Sequence, residues 1–122
     1  MLAAFQYFVK RDYRRAEKLY SQPIATNQGN IEAYLQRGLT RREMGDAPGA
    51  ASDGRSAVLL ASAALKSDLR DGRLYYQRSM GLRLLRQFDL TAQDMLAAIQ
   101  LTGKQHWQTD LKAIELERKM MQ

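Results

Sequence analysis

The sequence predicts an all-α fold, a solenoid of antiparallel helix pairs with about seven helices. Three observations support this prediction. Apolar residues recur at helical spacing, and no stretch keeps a two-residue alternation. Turn signals divide the chain into segments of helix length. The chain also resembles itself when it is shifted along its own sequence, which is typical of repeat architectures.

The turn signals set the helix boundaries. The polar run 27–30 is the first break, and the segment from Gly45 to Pro48 is the second, with Asp46 as a candidate N-cap. Gly103 ends a later helix in the way expected of a C-terminal glycine. The predicted helices span residues 1–10, 13–25, 31–44, 48–65, 69–86, 90–102 and 105–120.

Two shifts reveal the repeats. A shift of 41 residues, which places Tyr34 on Tyr75, gives eight identical positions, where average composition predicts about two. A shift of 34 places Asp12 on Asp46 in the N-terminal part. Because the shifts differ by seven residues, about two helical turns, we expect one helix to be lengthened near residues 61–70.

These patterns resemble the tetratricopeptide repeat, a 34-residue helix–turn–helix unit. One unit is matched by Tyr34, Gly38, the turn 44–46, Ala50 and Ala57. The next is matched by Tyr75, Leu82, Leu85, Phe88, Ala98 and Leu101, and the second half of an earlier unit by Tyr13, Ala16 and Tyr20. Pro23, which interrupts a helix, and Gly54, which replaces a large aromatic residue, depart from the pattern.

The resemblance implies a right-handed solenoid, in one domain of residues 1–122. Residues 1–30 form a partial first repeat, 31–68 an extended second repeat, 69–103 a third repeat, and 104–122 a capping helix. In that last helix Trp107 belongs to an apolar stripe, and Asp110 and Glu117 are expected mostly to face away. Since the first repeat is incomplete, we expect the chain to be a fragment of a longer array, the alternative being a short first helix.

Composition argues against an enzyme. The chain has no cysteine and one histidine, His106, which we interpret as a surface or capping residue. Phosphate-binding loops and nucleophile elbows are absent from the sequence. We therefore expect no catalytic residue, no cofactor and no metal.

The net charge of +6, with 19 basic and 13 acidic residues, admits nucleic acid, a membrane surface or acidic proteins as partners. The densest basic cluster, residues 10–15, is interrupted by Asp12 and has no aromatic-rich nucleic-acid motif beside it. No apolar run approaches the ~20 residues of a membrane span. No basic residue precedes the apolar start, so we expect no secretory signal. The sequence leaves the location open: it is cytoplasmic by default, and periplasmic if the chain is a fragment of an exported protein.

The resemblance implies that the first helix of each pair lines a concave groove that binds a peptide or helix. The groove residues it implies are Phe5, Phe8, Leu35, Gln36, Leu39, Arg42, Arg73, Tyr76, Gln77, Met80 and Arg83. Gln36 and Gln77 would hydrogen-bond an extended backbone, and Arg73 and Arg83 would pair with acidic side chains. The expected partner is an acidic, partly apolar protein segment.

Some repeat proteins clamp the C-terminal carboxylate of heat-shock chaperones with lysines, asparagines and an arginine. The matching positions read Met1, Phe5, Gln36, Arg73 and Gln77, so we predict no such clamp. We expect a scaffold, an adaptor or a secretion-type chaperone. The alternatives are nucleic-acid binding by the arginine-rich surface and homo-oligomerisation through the repeat ends.

Overall fold

The chain folds into seven α-helices in a computed structural model that describes residues 2–121. The helices are α1 (Leu2–Val9), α2 (Tyr13–Thr26), α3 (Ile31–Glu43), α4 (Ala47–Leu65), α5 (Gly72–Leu84), α6 (Phe88–Thr102) and α7 (Trp107–Met120). Every predicted helix is confirmed, with ends within three residues of those expected; Met1, in the first predicted span, lies outside the described residues.

Consecutive helices pack on each other from α1 to α7, as expected for a solenoid. The first helices of two pairs, α3 and α5, also pack together directly. The core therefore continues from one pair to the next. Its C-terminal part joins α6 to α7 through Phe88, Met95, Ala98, Ile99, Trp107, Leu111 and Ile114.

The turn inside each helix pair has one geometry in all three pairs. One residue takes a left-handed conformation, with φ of 64° at Arg11, 83° at Gly45 and 61° at Arg86. The backbone N–H of the next residue donates to a carbonyl five positions earlier, at 2.8–3.0 Å in each case. These positions are related by shifts of 34 and 41 residues, so the turns confirm both shifts found in the sequence.

The predicted lengthening of one helix is also confirmed. Helix α4 has 19 residues, five more than α2, and the segment after it, 66–71, is longer than the corresponding segment 27–30. Pro23, expected to interrupt α2, lies inside that helix, which continues to Thr26.

Two glycines allow α4 and α5 to approach closely. A Cβ atom on Gly54 would lie 2.8 Å from the carbonyl oxygen of Gly81, and one on Gly81 would lie 2.9 Å from the carbonyl oxygen of Gly54. The glycine at 54, a departure from the repeat pattern, is thus matched by a second glycine on the facing helix. A large aromatic side chain has no room at this contact.

An arginine on α3 connects three successive helices. Arg37 donates to both carboxylate oxygens of Asp53 on α4, at 3.0 and 2.8 Å, and to the hydroxyl of Ser21 on α2, at 3.2 Å. Arg41 donates to the same aspartate at 3.2 Å and to Glu17 at 2.8 Å. This group of five side chains, the Arg37 network, ties the first helix pair to the second.

The same arrangement recurs 41 residues later. Arg78 on α5 donates to both carboxylate oxygens of Asp94 on α6, at 2.7 and 2.9 Å, and to the hydroxyl of Ser62 on α4, at 3.3 Å. We call this group the Arg78 network. Two sequence identities found by the shift, the arginine and the aspartate, are therefore the two halves of a repeated ion pair.

Candidate functional site

A cavity of about 270 Å³ opens between α3, α5 and α7. We call it the groove. Its walls come from the first helices of the second and third pairs and from the capping helix. The lining residues are Glu32, Leu35, Gln36, Leu39, Arg42, Tyr76, Met80, Arg83, Leu84 and Asp110.

The apolar wall of the groove is formed by two pairs of side chains at helical spacing. Leu35 and Leu39 are one turn apart on α3, and Met80 and Leu84 are one turn apart on α5. Leu35 and Leu84 are buried, while Leu39 and Met80 are half-buried. The wall therefore keeps apolar surface available beside packed core.

Tyr76 joins the groove to the capping helix. Its ring stacks on Trp107 with the centroids 4.2 Å apart and the planes inclined by 13°. Burial raises the pKa of the Tyr76 hydroxyl, and the nearby charges of Asp110 and Glu32 raise it further, whereas Arg83 lowers it. The hydroxyl therefore stays neutral to a higher pH than an ordinary tyrosine.

Arg83 lines the groove but is held within the chain. Its guanidinium donates to the carboxylate of Glu117 on α7, with the Nε atom 3.2 Å from each oxygen. These hydrogen bonds raise the pKa of Arg83, whereas burial of the guanidinium lowers it by a smaller amount. The expectation that Glu117 faces away from the core was wrong, because it neutralises this arginine.

Two acidic side chains of the groove were missed by the sequence reasoning. Glu32 accepts a hydrogen bond of 2.9 Å from Gln36, one turn later on α3. Asp110, on the first turn of α7, was expected mostly to face away but lines the groove. The i, i+4 spacing of Glu32 and Gln36 was a sequence signal that could have identified Glu32. Asp110 reaches the groove because of the angle at which α7 packs, and the sequence contains no signal for that angle.

The structure brings seven of the eleven expected groove residues together: Leu35, Gln36, Leu39, Arg42, Tyr76, Met80 and Arg83. The other four do not line the groove. Phe5 is exposed on α1, and Phe8 packs beside the small core formed by α1 and α2. Arg73 is exposed on the first turn of α5, and Gln77 is buried.

Of the five positions that match the chaperone-peptide clamp, four belong to the described residues, and one of these four lines the groove. Met1 lies outside the described residues. Of the others, Gln36 lines the groove and Phe5, Arg73 and Gln77 do not. The absence of a clamp stays a prediction.

Residues 2–121 contain no side-chain cluster that could bind a metal ion. No three histidine or acidic side chains there lie close enough to hold a metal ion. His106 precedes α7 and lies edge-on to Trp107, with ring centroids 5.6 Å apart. Over the same range, no helix is long and apolar enough to span a bilayer.

No protein-family profile matches the sequence, and no curated protein matches it. Solved structures do match in fold. The TPR2B domain of yeast Sti1, in its complex with pHsp70, matches with a TM-score of 0.65 at 16% identity, over 99% of this chain and 94% of that one. The first TPR domain of human RPAP3 has a TM-score of 0.64 at 17% identity, over 97% and 88%.

The type III secretion translocator chaperone SycD of Yersinia enterocolitica also matches, with a TM-score of 0.57 at 16% identity over 96% of this chain and 81% of that one. All three structures resemble this chain across nearly its whole length. Together with the repeated turns and helix pairs, they show that the chain has the fold of tetratricopeptide-repeat domains.

Proposed function

We propose that this chain is a protein-interaction module that binds a peptide or helix of a partner in the groove. The observation that carries the proposal is the half-buried apolar wall of Leu39 and Met80, which lies open between three helices. Apolar side chains with an aromatic and an arginine beside them are typical of the centres of protein interfaces. The proposal includes a non-catalytic role.

The fold relatives support this proposal. One RPAP3 TPR domain has been solved bound to the HSP90 peptide SRMEEVD, and another in complex with the HSP70 peptide SGPTIEEVD. A structure of SycD is titled as a complex with a peptide of the translocator YopD. A scaffold, an adaptor and a secretion-type chaperone are all compatible with such a module.

The test uses a capped synthetic peptide with a leucine–phenylalanine–alanine–leucine core flanked by glutamines. We expect it to shift amide resonances of α3, α5 and α7 in an NMR titration. The combined change Leu39→Gln and Met80→Gln should weaken binding about tenfold or more, because the apolar contact is lost. The matched control is Leu59→Gln, at a side chain that is 71% exposed on α4.

Two results would contradict the proposal. One is a titration in which the peptide shifts no groove resonance. The other is equal weakening by the control, which would place the contact elsewhere. A separate titration with the peptide SRMEEVD tests the prediction that the chain has no such clamp. We expect no tight binding of this peptide, and no loss of affinity for it in the Arg73→Ala variant.

Self-association is a second candidate, because α1 has no charged residue and exposes an apolar stripe. Leu2, Phe5 and Val9 are 74%, 51% and 63% exposed. We propose a second copy of the chain as the partner of this stripe. Light scattering at two concentrations should show association that Phe5→Gln removes; a monomer at both concentrations rules it out.

A further inference from the structure

The groove contains two carboxylates that form no ion pair within 4.0 Å, although the charge of Asp110 acts on Arg83. Glu32 on α3 and Asp110 on α7 are both half-buried. Among the described residues, neither belongs to any of the ion pairs found within 4.0 Å. This is unexpected in a chain with 19 basic residues. Partly desolvated carboxylates are stabilised when a cation pairs with them.

The positive side of the groove differs. Arg83 is already paired with Glu117. Arg42 has 39% of its side chain exposed and lies 3.9 Å from Glu43. The charges of the groove that still lack a partner are therefore mainly negative, although the whole chain has a net charge of +6.

The groove charges on α3, Glu32 and Arg42, lie near opposite ends of that helix. Glu32 is the second residue of α3 and Arg42 lies near the end of the helix, ten residues later, which corresponds to about 15 Å along the helix. Asp110 is on the first turn of α7, and its charge, like that of Glu32, raises the pKa of Tyr76. Glu32, Tyr76 and Asp110 all line the groove, and Arg42 lies about three turns of α3 away from Glu32.

We propose that the groove recognises an apolar peptide segment that carries a lysine or arginine, with that basic side chain between Glu32 and Asp110. This inference rests on the proposed function and specifies the chemistry of the partner. An acidic residue about five positions further along an extended segment would reach Arg42. The recognised segment is therefore defined by its basic residue, in contrast to a purely acidic partner.

Three capped, fluorescently labelled peptides test the proposal. They share the apolar core of leucine, phenylalanine, alanine and leucine and end in glutamate, and they begin with lysine, glutamine or glutamate. At low ionic strength we expect the lysine peptide to bind about threefold to tenfold more tightly than the glutamine peptide, and the glutamate peptide to bind most weakly.

Variants of the protein locate the effect. The combined change Glu32→Gln and Asp110→Asn should make the lysine and glutamine peptides bind equally. Glu115→Gln is the control, because it removes one negative charge from an exposed position of α7 outside the groove. It should leave the preference for lysine intact, and circular dichroism should show all variants equally helical.

The outcomes separate this inference from the proposed function. If the glutamate peptide binds as tightly as the lysine peptide, and Leu39→Gln weakens both, the groove binds peptides and the inference about charge is wrong. The inference is also wrong if Glu115→Gln removes the preference as fully as the groove variant does. If no peptide binds, the proposed function fails together with it.

Discussion

At the scale of single residues, the three turns inside the helix pairs show one backbone geometry made by different side chains. Gly45 adopts its positive φ without a Cβ atom, whereas Arg11 and Arg86 adopt it with one. For residues with a Cβ atom, the left-handed conformation costs about 1–2 kcal/mol. These turns persist because the helices on both sides fix them.

This geometry predicts opposite effects of two substitutions. Arg11→Gly should raise the free energy of unfolding by about 0.5–1 kcal/mol, because relief of strain exceeds the entropy lost by glycine. Gly45→Ala should lower it by about 1 kcal/mol, although the new Cβ would meet no atom within 4 Å. Urea denaturation measures both. Destabilisation by Arg11→Gly would show that the arginine side chain contributes more than the strain costs.

Residue-level prediction succeeded where the signal was local and failed where it was not. Asp12 and Asp46 were matched by a shift of 34 residues, and both accept a hydrogen bond as N-caps of their helices. The pairing of Arg83 with Glu117 joins residues 34 positions apart. No periodicity within α5 or α7 encodes that pairing, because it depends on how the two helices cross.

At the scale of helices, the contact between α4 and α5 depends on the absence of side chains. A Cβ on Gly81 would lie 2.9 Å from both the Gly54 oxygen and the Val58 Cγ2 atom, and 3.2 Å from the Ala57 Cβ atom. Helix propensity favours alanine over glycine by about 1 kcal/mol. Packing opposes that preference at this contact.

One substitution shows whether packing or helix propensity has the larger effect on stability at this contact. Gly81→Ala should destabilise the protein by about 1–3 kcal/mol, because α4 and α5 must separate to admit the methyl group. Thermal unfolding by circular dichroism measures the change. Stabilisation, the result that propensity alone predicts, would mean that the two helices adjust at little cost.

The repeated arginine networks make a second prediction at this scale. Asp53 is 1% exposed and accepts hydrogen bonds from two arginines, whereas Asp94 is 7% exposed and accepts from one. Asp53→Asn should therefore cost about 3 kcal/mol and Asp94→Asn about 2 kcal/mol, since each leaves a partly buried guanidinium without its counter-charge.

A paired substitution is the control for the networks. Combining Arg78→Met with Asp94→Leu removes both charges and should recover most of the stability lost in Asp94→Asn. Chemical denaturation of the three proteins gives the comparison. Equal losses for the paired and single changes would show that shape, and not charge, limits this contact.

For the helices, the sequence carried most of the information. Helix order, the two shifts and the lengthening of α4 follow from local spacing and self-comparison. The networks were visible only as identical residues, Arg37 with Arg78 and Asp53 with Asp94, since a one-dimensional match does not show which residues touch. The groove was predicted only in part for the same reason: α3 and α5 were identified, and the contribution of α7 was not.

At the scale of the whole molecule, each helix packs on its neighbours in sequence, so each helix pair is stabilised by its contacts with the adjacent pairs. The capping helix α7 closes the C-terminal core through Trp107, Leu111 and Ile114, which are all buried. The same helix forms one wall of the groove through Asp110. Disrupting the packing of α7 should therefore weaken both peptide binding and the stability of the C-terminal helices, and leave the N-terminal helices unaffected.

Trp107→Ala tests this coupling. It removes the ring that stacks on Tyr76 and leaves a cavity in the C-terminal core, which typically costs 3–5 kcal/mol. We expect amide hydrogen exchange to accelerate in α6 and α7 while α2 and α3 keep their protection, because contacts in a solenoid are made only between neighbours. Leu116→Ala is the control, since that side chain lies on the same helix and is 60% exposed. Uniform acceleration from α1 to α7 would instead show that the seven helices unfold as one cooperative unit, with the cap stabilising the whole array.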